Sequence, residues 1–148
     1  MIESGEIDAM MSPRMPTCFL QGSPRVQRLF PDYRQAEMDY FKKTGMFPIM
    51  HVLVVKRSIY EREPWVAQTL YKVFCEAKEI CMRDLYDTNI LRVSLPWTSA
   101  EYEDTRDLMT ADYWPYGLEP NRANLETLHG YLLEQGLIKQ RLNLDELF

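Results

Sequence analysis

Runs of apolar and polar positions divide the chain into segments, and each pattern predicts an element. Ile49-Met50-His51-Val52-Leu53-Val54-Val55 is nearly continuous in apolar character and rich in β-branched residues, the pattern of a strand covered on both faces. A shorter strand is predicted over Ile7 to Met11, after a helix end and a turn at Gly5. Tyr33, Ala36, Tyr40 and Phe41 recur at helical spacing within Asp32 to Thr44, and Gly45 supplies an inexpensive left-handed cap. Val66, Leu70, Val73, Phe74, Ala77 and Ile80 mark one face of a long helix entered at Pro64. Thr98 with Glu101 reads as a capping box for a helix reaching about Met109. Pro120 opens a further helix through Leu125, Leu128, Leu132 and Leu133 that stops at Gly136, and Asn143 can cap a last short turn over Leu144 to Phe148. Between the first elements, Ser12 to Pro31 contains Pro13, Pro16, Pro24 and Pro31 and reads as a connector, because proline removes ladder donors and fixes φ.

Several helices around few strands is an imbalance. A strand buried on both faces needs partners, so either Ile7 to Met11 joins it or the remaining strands lie outside this chain.

Composition narrows the function classes. The 148 residues are 46% hydrophobic and 26% charged, with three tryptophans, nine tyrosines and six phenylalanines, ordinary proportions for one folded domain or lobe. A net charge of −5 with no long basic run argues against a nucleic-acid partner. No apolar stretch approaches the roughly 20 residues of a membrane helix, and the acidic start, Met1 to Gly5, is unlike a secretory signal. On those grounds the expected location is cytoplasmic.

Local motifs for metal or nucleotide chemistry are missing. Cys18, Cys75 and Cys81 form no CxxC, and His51 and His129 form no paired-histidine motif, so no metal site is expected and a disulfide framework is disfavoured. No GxGxxG, P-loop or GxSxG phrase occurs, nor any internal repeat.

Four phrases together carry a resemblance: Gly5-Glu6-Ile7-Asp8-Ala9, Arg28-Leu29-Phe30-Pro31-Asp32, Thr44-Gly45-Met46-Phe47-Pro48-Ile49-Met50-His51 and Trp114-Pro115-Tyr116-Gly117-Leu118-Glu119-Pro120-Asn121. The first is common among solute-binding proteins, whereas the last two are far more specific. With them the chain resembles, nearly end to end, the C-terminal part of the 4,5-dihydroxyphthalate decarboxylase family. The resemblance implies an α/β, type II periplasmic-binding-protein-like fold with a ligand cleft between two lobes. On that frame residues 1–12 are the end of a middle lobe, 13–31 a proline-rich crossover or hinge, and 32–148 the C-terminal part of a helix-rich partial outer lobe. The family's N-terminal part is missing, so the chain is expected either to form one incomplete lobe or to rely on another chain, a homo-oligomeric partner or the missing N-terminal lobe.

The implied reaction converts 4,5-dihydroxyphthalate to protocatechuate in aromatic catabolism, specifically phthalate degradation. It needs a base for the phenol, an acid for the ring carbon and cations for two carboxylates, and no organic cofactor is needed in principle. His51 is the catalytic candidate, because imidazole serves either proton role near neutrality; the competing reading is a core histidine satisfied by backbone. Arg14 is a candidate carboxylate ligand, with Ser12 as an added hydroxyl donor, against a solvated loop arginine. Tyr116 and Asn121, beside Trp114, Glu119 and Arg122, are candidate substrate contacts, although a turn packed by its own aromatics explains them more simply. His129 beside the leucine stripe reads as packing, and Met10, Met11, Met15, Met46 and Met50 as core and hinge filler. Two other functions stay open: a solute-binding module for a small aromatic acid, since fold does not fix function, and a truncated non-catalytic remnant.

Overall fold

A computed structural model describes residues 1–89 and 91–148. Six helices run in the order α1 (Thr17–Leu20), α2 (Tyr33–Thr44), α3 (Arg57–Arg62), α4 (Trp65–Tyr86), α5 (Thr98–Met109) and α6 (Leu118–Glu134), followed by a 3₁₀ turn, Leu144–Glu146. The chain divides into two compact units, Met1–Asp39 and Tyr40–Phe148.

The first unit is built from turns. Gly5, at φ +76°, closes the opening turn with its N–H donating to the Ile2 carbonyl at 3.3 Å. Proline-rich sequence then leaves room for only the single turn of α1, and the Arg28 guanidinium lies over the rings of Phe19, 5.4 Å away, and Tyr33, 4.6 Å away. Asp32 starts α2 by accepting from the Gln35 N–H at 3.1 Å. The Arg28 to Asp32 phrase thus ends in a cation stacked on aromatics and a helix cap.

In the second unit α2 ends at Gly45, whose left-handed φ of +67° lets its N–H reach the Phe41 carbonyl at 2.7 Å. α4 starts after Pro64, as the missing proline N–H permits, and packs against α3 and α5. Tyr86 of α4, Tyr102 of α5 and Tyr113 form a chain of tilted rings 5.9 and 6.0 Å apart, with Arg106 over the first two. α5 covers the predicted residues, but by a different start: the Thr98 hydroxyl donates to the Leu95 carbonyl at 2.9 Å instead of capping the helix. Asn143 caps the 3₁₀ turn by accepting from the Asp145 N–H at 3.2 Å.

The α/β expectation is overturned. No strand occurs among the described residues, and the fold is all helical. Residues 9–12 and 45–56 carry no regular structure, and the run Ile49 to Val55 joins no strand. The physical reason is that β-propensity expresses packing against cross-strand neighbours, and a lone run has no ladder to join.

A second departure concerns the core. Among the described residues no apolar side chain is buried, and His129 is the one buried residue. Val73, Phe74 and Ile80 of the predicted α4 face are exposed. Among the described residues no helix is long and apolar enough to cross a membrane.

Cooperative unfolding needs a shared core. Heating this chain alone should therefore give a broad loss of far-ultraviolet circular dichroism, and the chain should bind an apolar fluorescent dye before heating. A sharp transition without dye binding would contradict the absence of a core.

Candidate active site

The site is assembled from the loop between α5 and α6, which α4 holds in place. Lys78 sits in register with Leu70 and Phe74 on α4, and its side chain is only 15% exposed. Its Nζ donates to Asp112 Oδ1 at 2.8 Å and to the Trp114 carbonyl at 3.2 Å, and lies 4.9 Å from the centre of the Tyr116 ring. One cation thus fixes three points of a single loop. Gly117 is required there twice over: its φ is +98°, and a Cβ would approach Tyr71 Oη to 3.2 Å. The neighbouring Cys75, a hydrogen-bond partner one helical turn on, raises the Tyr71 phenol above its ordinary value. Burial, together with Tyr102, does the same to Tyr113.

Asn121 completes the turn. Its Nδ2 donates to the Pro115 carbonyl at 2.8 Å and to the Gly117 carbonyl at 2.9 Å, so the amide that could meet a ligand also holds the backbone of the loop. Tyr116 is half-buried beneath Lys78. Arg122 bridges α6 to the C-terminal turn: Nη2 reaches Glu119 Oε1 and Asp145 Oδ1, both at 2.6 Å. That pairing raises the guanidinium further above its already high value and lowers the Glu119 carboxyl, first through its hydrogen bond from Arg122.

The two most specific phrases of the sequence meet in space. Phe47 packs on Trp114 with ring centres 5.7 Å apart, and the Thr127 hydroxyl of α6 donates to Met46 Sδ at 3.4 Å. His51 follows four residues after Phe47 on the same segment of irregular structure and is exposed. Among the described residues no hydrogen bond to its imidazole is present, which sets aside the picture of a core histidine held by backbone.

Ser12 and Arg14 belong to the first unit and are exposed. Ser12 Oγ accepts from the Arg14 N–H at 3.1 Å, so the hydroxyl shapes its own turn while the guanidinium projects from the exposed loop. A cavity of about 190 Å³ lies between the end of α4 and α5, lined by Leu85, Tyr86, Thr88, Ser99, Tyr102 and Glu103, and none of the sequence-derived candidates reaches it. Among the described residues no three His, Cys, Asp or Glu side chains converge as a metal site.

Comparison with known proteins bears on what this arrangement does. Over all 148 residues the chain is 34% identical to a Comamonas testosteroni protein named 4,5-dihydroxyphthalate decarboxylase, of which it spans 45%. That match supports assigning the chain to the C-terminal part of the 4,5-dihydroxyphthalate decarboxylase family. A Pseudomonas putida protein of the same name is 45% identical over 42 residues, 28% of this chain and 16% of that protein. No family model matches the chain. The chain spans about half the length of the Comamonas relative, so the family's site residues need not all lie within it.

Sequence reasoning missed Lys78 and the acceptor role of His129. Lys78 left one trace, a cation in step with the apolar stripe of α4, and its target Asp112 lies 34 residues away where no local spacing can pair them. His129 Nε2 accepts from the Leu142 N–H at 2.9 Å, tying the C-terminal segment to α6. Replacing His129 with Ala should speed amide exchange at Leu142 roughly tenfold, the worth of one hydrogen bond; an unchanged rate would remove this tie from the account.

The Glu119 pairing has a pH signature. A carboxyl lowered in the folded chain stabilises it above the unfolded pKa, and that contribution is lost as pH falls through the lowered value. Carbon-detected titration should show the Glu119 midpoint below the ordinary carboxylate range and returning to it in Arg122→Gln. A midpoint that does not move would mean the pair is not formed in solution.

Proposed function

We propose that this chain supplies the C-terminal part of an enzyme that decarboxylates 4,5-dihydroxyphthalate to protocatechuate. The observation that carries the reading is the end-to-end match to the Comamonas testosteroni relative of that name. The packing of Phe47 on Trp114 supports it, because it joins two phrases that carry the resemblance.

Removing a ring carboxylate requires electrons from a deprotonated hydroxyl para to it, a proton delivered to the ring carbon, and departure of carbon dioxide with cleavage of the carbon–carbon bond. His51, exposed and uncommitted to neighbours among the described residues, is assigned the proton transfer. Arg14 is assigned a carboxylate, for which a guanidinium offers a bidentate fork. Tyr116 and Asn121 contribute chiefly by holding the loop.

The test fuses this chain to the part of the Comamonas relative outside the matched region and follows protocatechuate formation. Turnover is expected in the fusion, with a loss of about 10²–10⁴-fold in His51→Gln, the usual worth of a positioned proton-transfer group. Arg14→Ala should raise KM more than it lowers kcat. Binding of 4,5-dihydroxyphthalate without product would favour the solute-binding alternative, and full activity in His51→Gln would dismiss that assignment.

A further inference from the structure

We propose that His129 is a pH-operated clasp: protonation of its imidazole frees the segment that runs back along α6 toward the C-terminal turn. Neither His129 nor that segment has a part in the decarboxylation reading, so the two stand or fall separately.

The chain doubles back after α6. The Leu137 and Ile138 N–H groups donate to the Leu132 carbonyl at 2.9 and 3.3 Å, past Gly136 at φ +68°. The returning segment then touches α6 at two further points: the Leu142 N–H donates to His129 Nε2 at 2.9 Å, and Asp145 Oδ1 meets Arg122 Nη2 at 2.6 Å. Arg122 and His129 stand about two helical turns apart and so share one face of α6. The later contact of the segment falls on the earlier residue of the helix, so the segment follows that face in the opposite direction.

A proton acts differently on the two contacts. A guanidinium stays charged throughout, and carboxylates are ordinarily ionised above about pH 5, so the Arg122 pair keeps its charges near neutrality. The His129 contact depends on a lone pair. Nε2 accepts only in the neutral imidazole, whose single proton then sits on Nδ1, and a second proton can be added only at Nε2. That nitrogen would become a donor aimed at the Leu142 N–H, another donor, and the contact is lost. Among the described residues the Leu142 N–H has no other partner.

Placement makes His129 suited to the role. It is the one buried residue among those described, and imidazole is the side chain whose charge ordinarily changes between about pH 5 and 8. The charged groups near it in the two elements it joins are Glu126, one turn before it on α6, and Lys139 and Arg141 on the returning segment. None of them pairs with the imidazole among the described residues, and Arg122 is already engaged by Glu119 and Asp145. Met46, which meets α6 at Thr127, carries no charge.

Nitrogen-15 NMR of the full chain reads both sides of the contact. At about pH 8 the His129 ring should be protonated on Nδ1 and bare on Nε2. Amide protection at Leu142, corrected for the intrinsic pH dependence of exchange, should fall about tenfold between about pH 8 and about pH 5, while the amides within α6 keep theirs. His129→Gln offers an acceptor oxygen that does not titrate, so Leu142 protection in that variant should be level across the range. A proton on Nε2 at about pH 8 overturns the proposal, and this result needs no variant to fold. Level protection at Leu142 in the native chain overturns it as well. So does a fall that persists in His129→Gln, or one shared by all of α6, which would mean that acid loosens the chain as a whole.

Discussion

Water reaches every apolar side chain described in this molecule, and that constraint shapes the rest of it. Burial of apolar area is the main favourable term in folding, and here it is largely unspent. Order comes instead from hydrogen bonds within helices and from polar ties at their ends: Asp32 on α2, Lys78 beneath the Trp114 loop, Arg122 across to Asp145, and His129 on Leu142. Each is local or joins two neighbouring elements, and none substitutes for a core.

The loop around Trp114 shows how such ties order a segment of irregular structure. Lys78, Gly117 and Asn121 fix its backbone from three directions, and the exposed segment bearing His51 leans on it through Phe47.

Much of the helical layout was legible in the order of residues. Helix positions follow from local signals, namely Gly45 and Gly136 as left-handed stops and Pro64 at a start, and these act within a few residues. The turn role of Tyr116 and Asn121 was legible for the same reason, because Asn121 bonds to carbonyls within six residues. Misreading came where a pattern reports surroundings: Ile49 to Val55 has the composition of a buried strand, and composition encodes the environment a segment is suited to, whether or not that environment is present.

By itself the sequence determined where α2, α4, α5 and α6 run to within a few residues, though not α1 or α3, together with the Asn143 cap and the family resemblance, all of which depend on short-range stereochemistry or on residue identity. Only the tertiary structure decided that Lys78 reaches Asp112 and that Phe47 meets Trp114. It alone decided that His129 is an acceptor and that the apolar run stays unpaired. Those outcomes depend on which distant groups arrive within hydrogen-bond or van der Waals reach, and pairing across such separations is set by packing and the supply of partners.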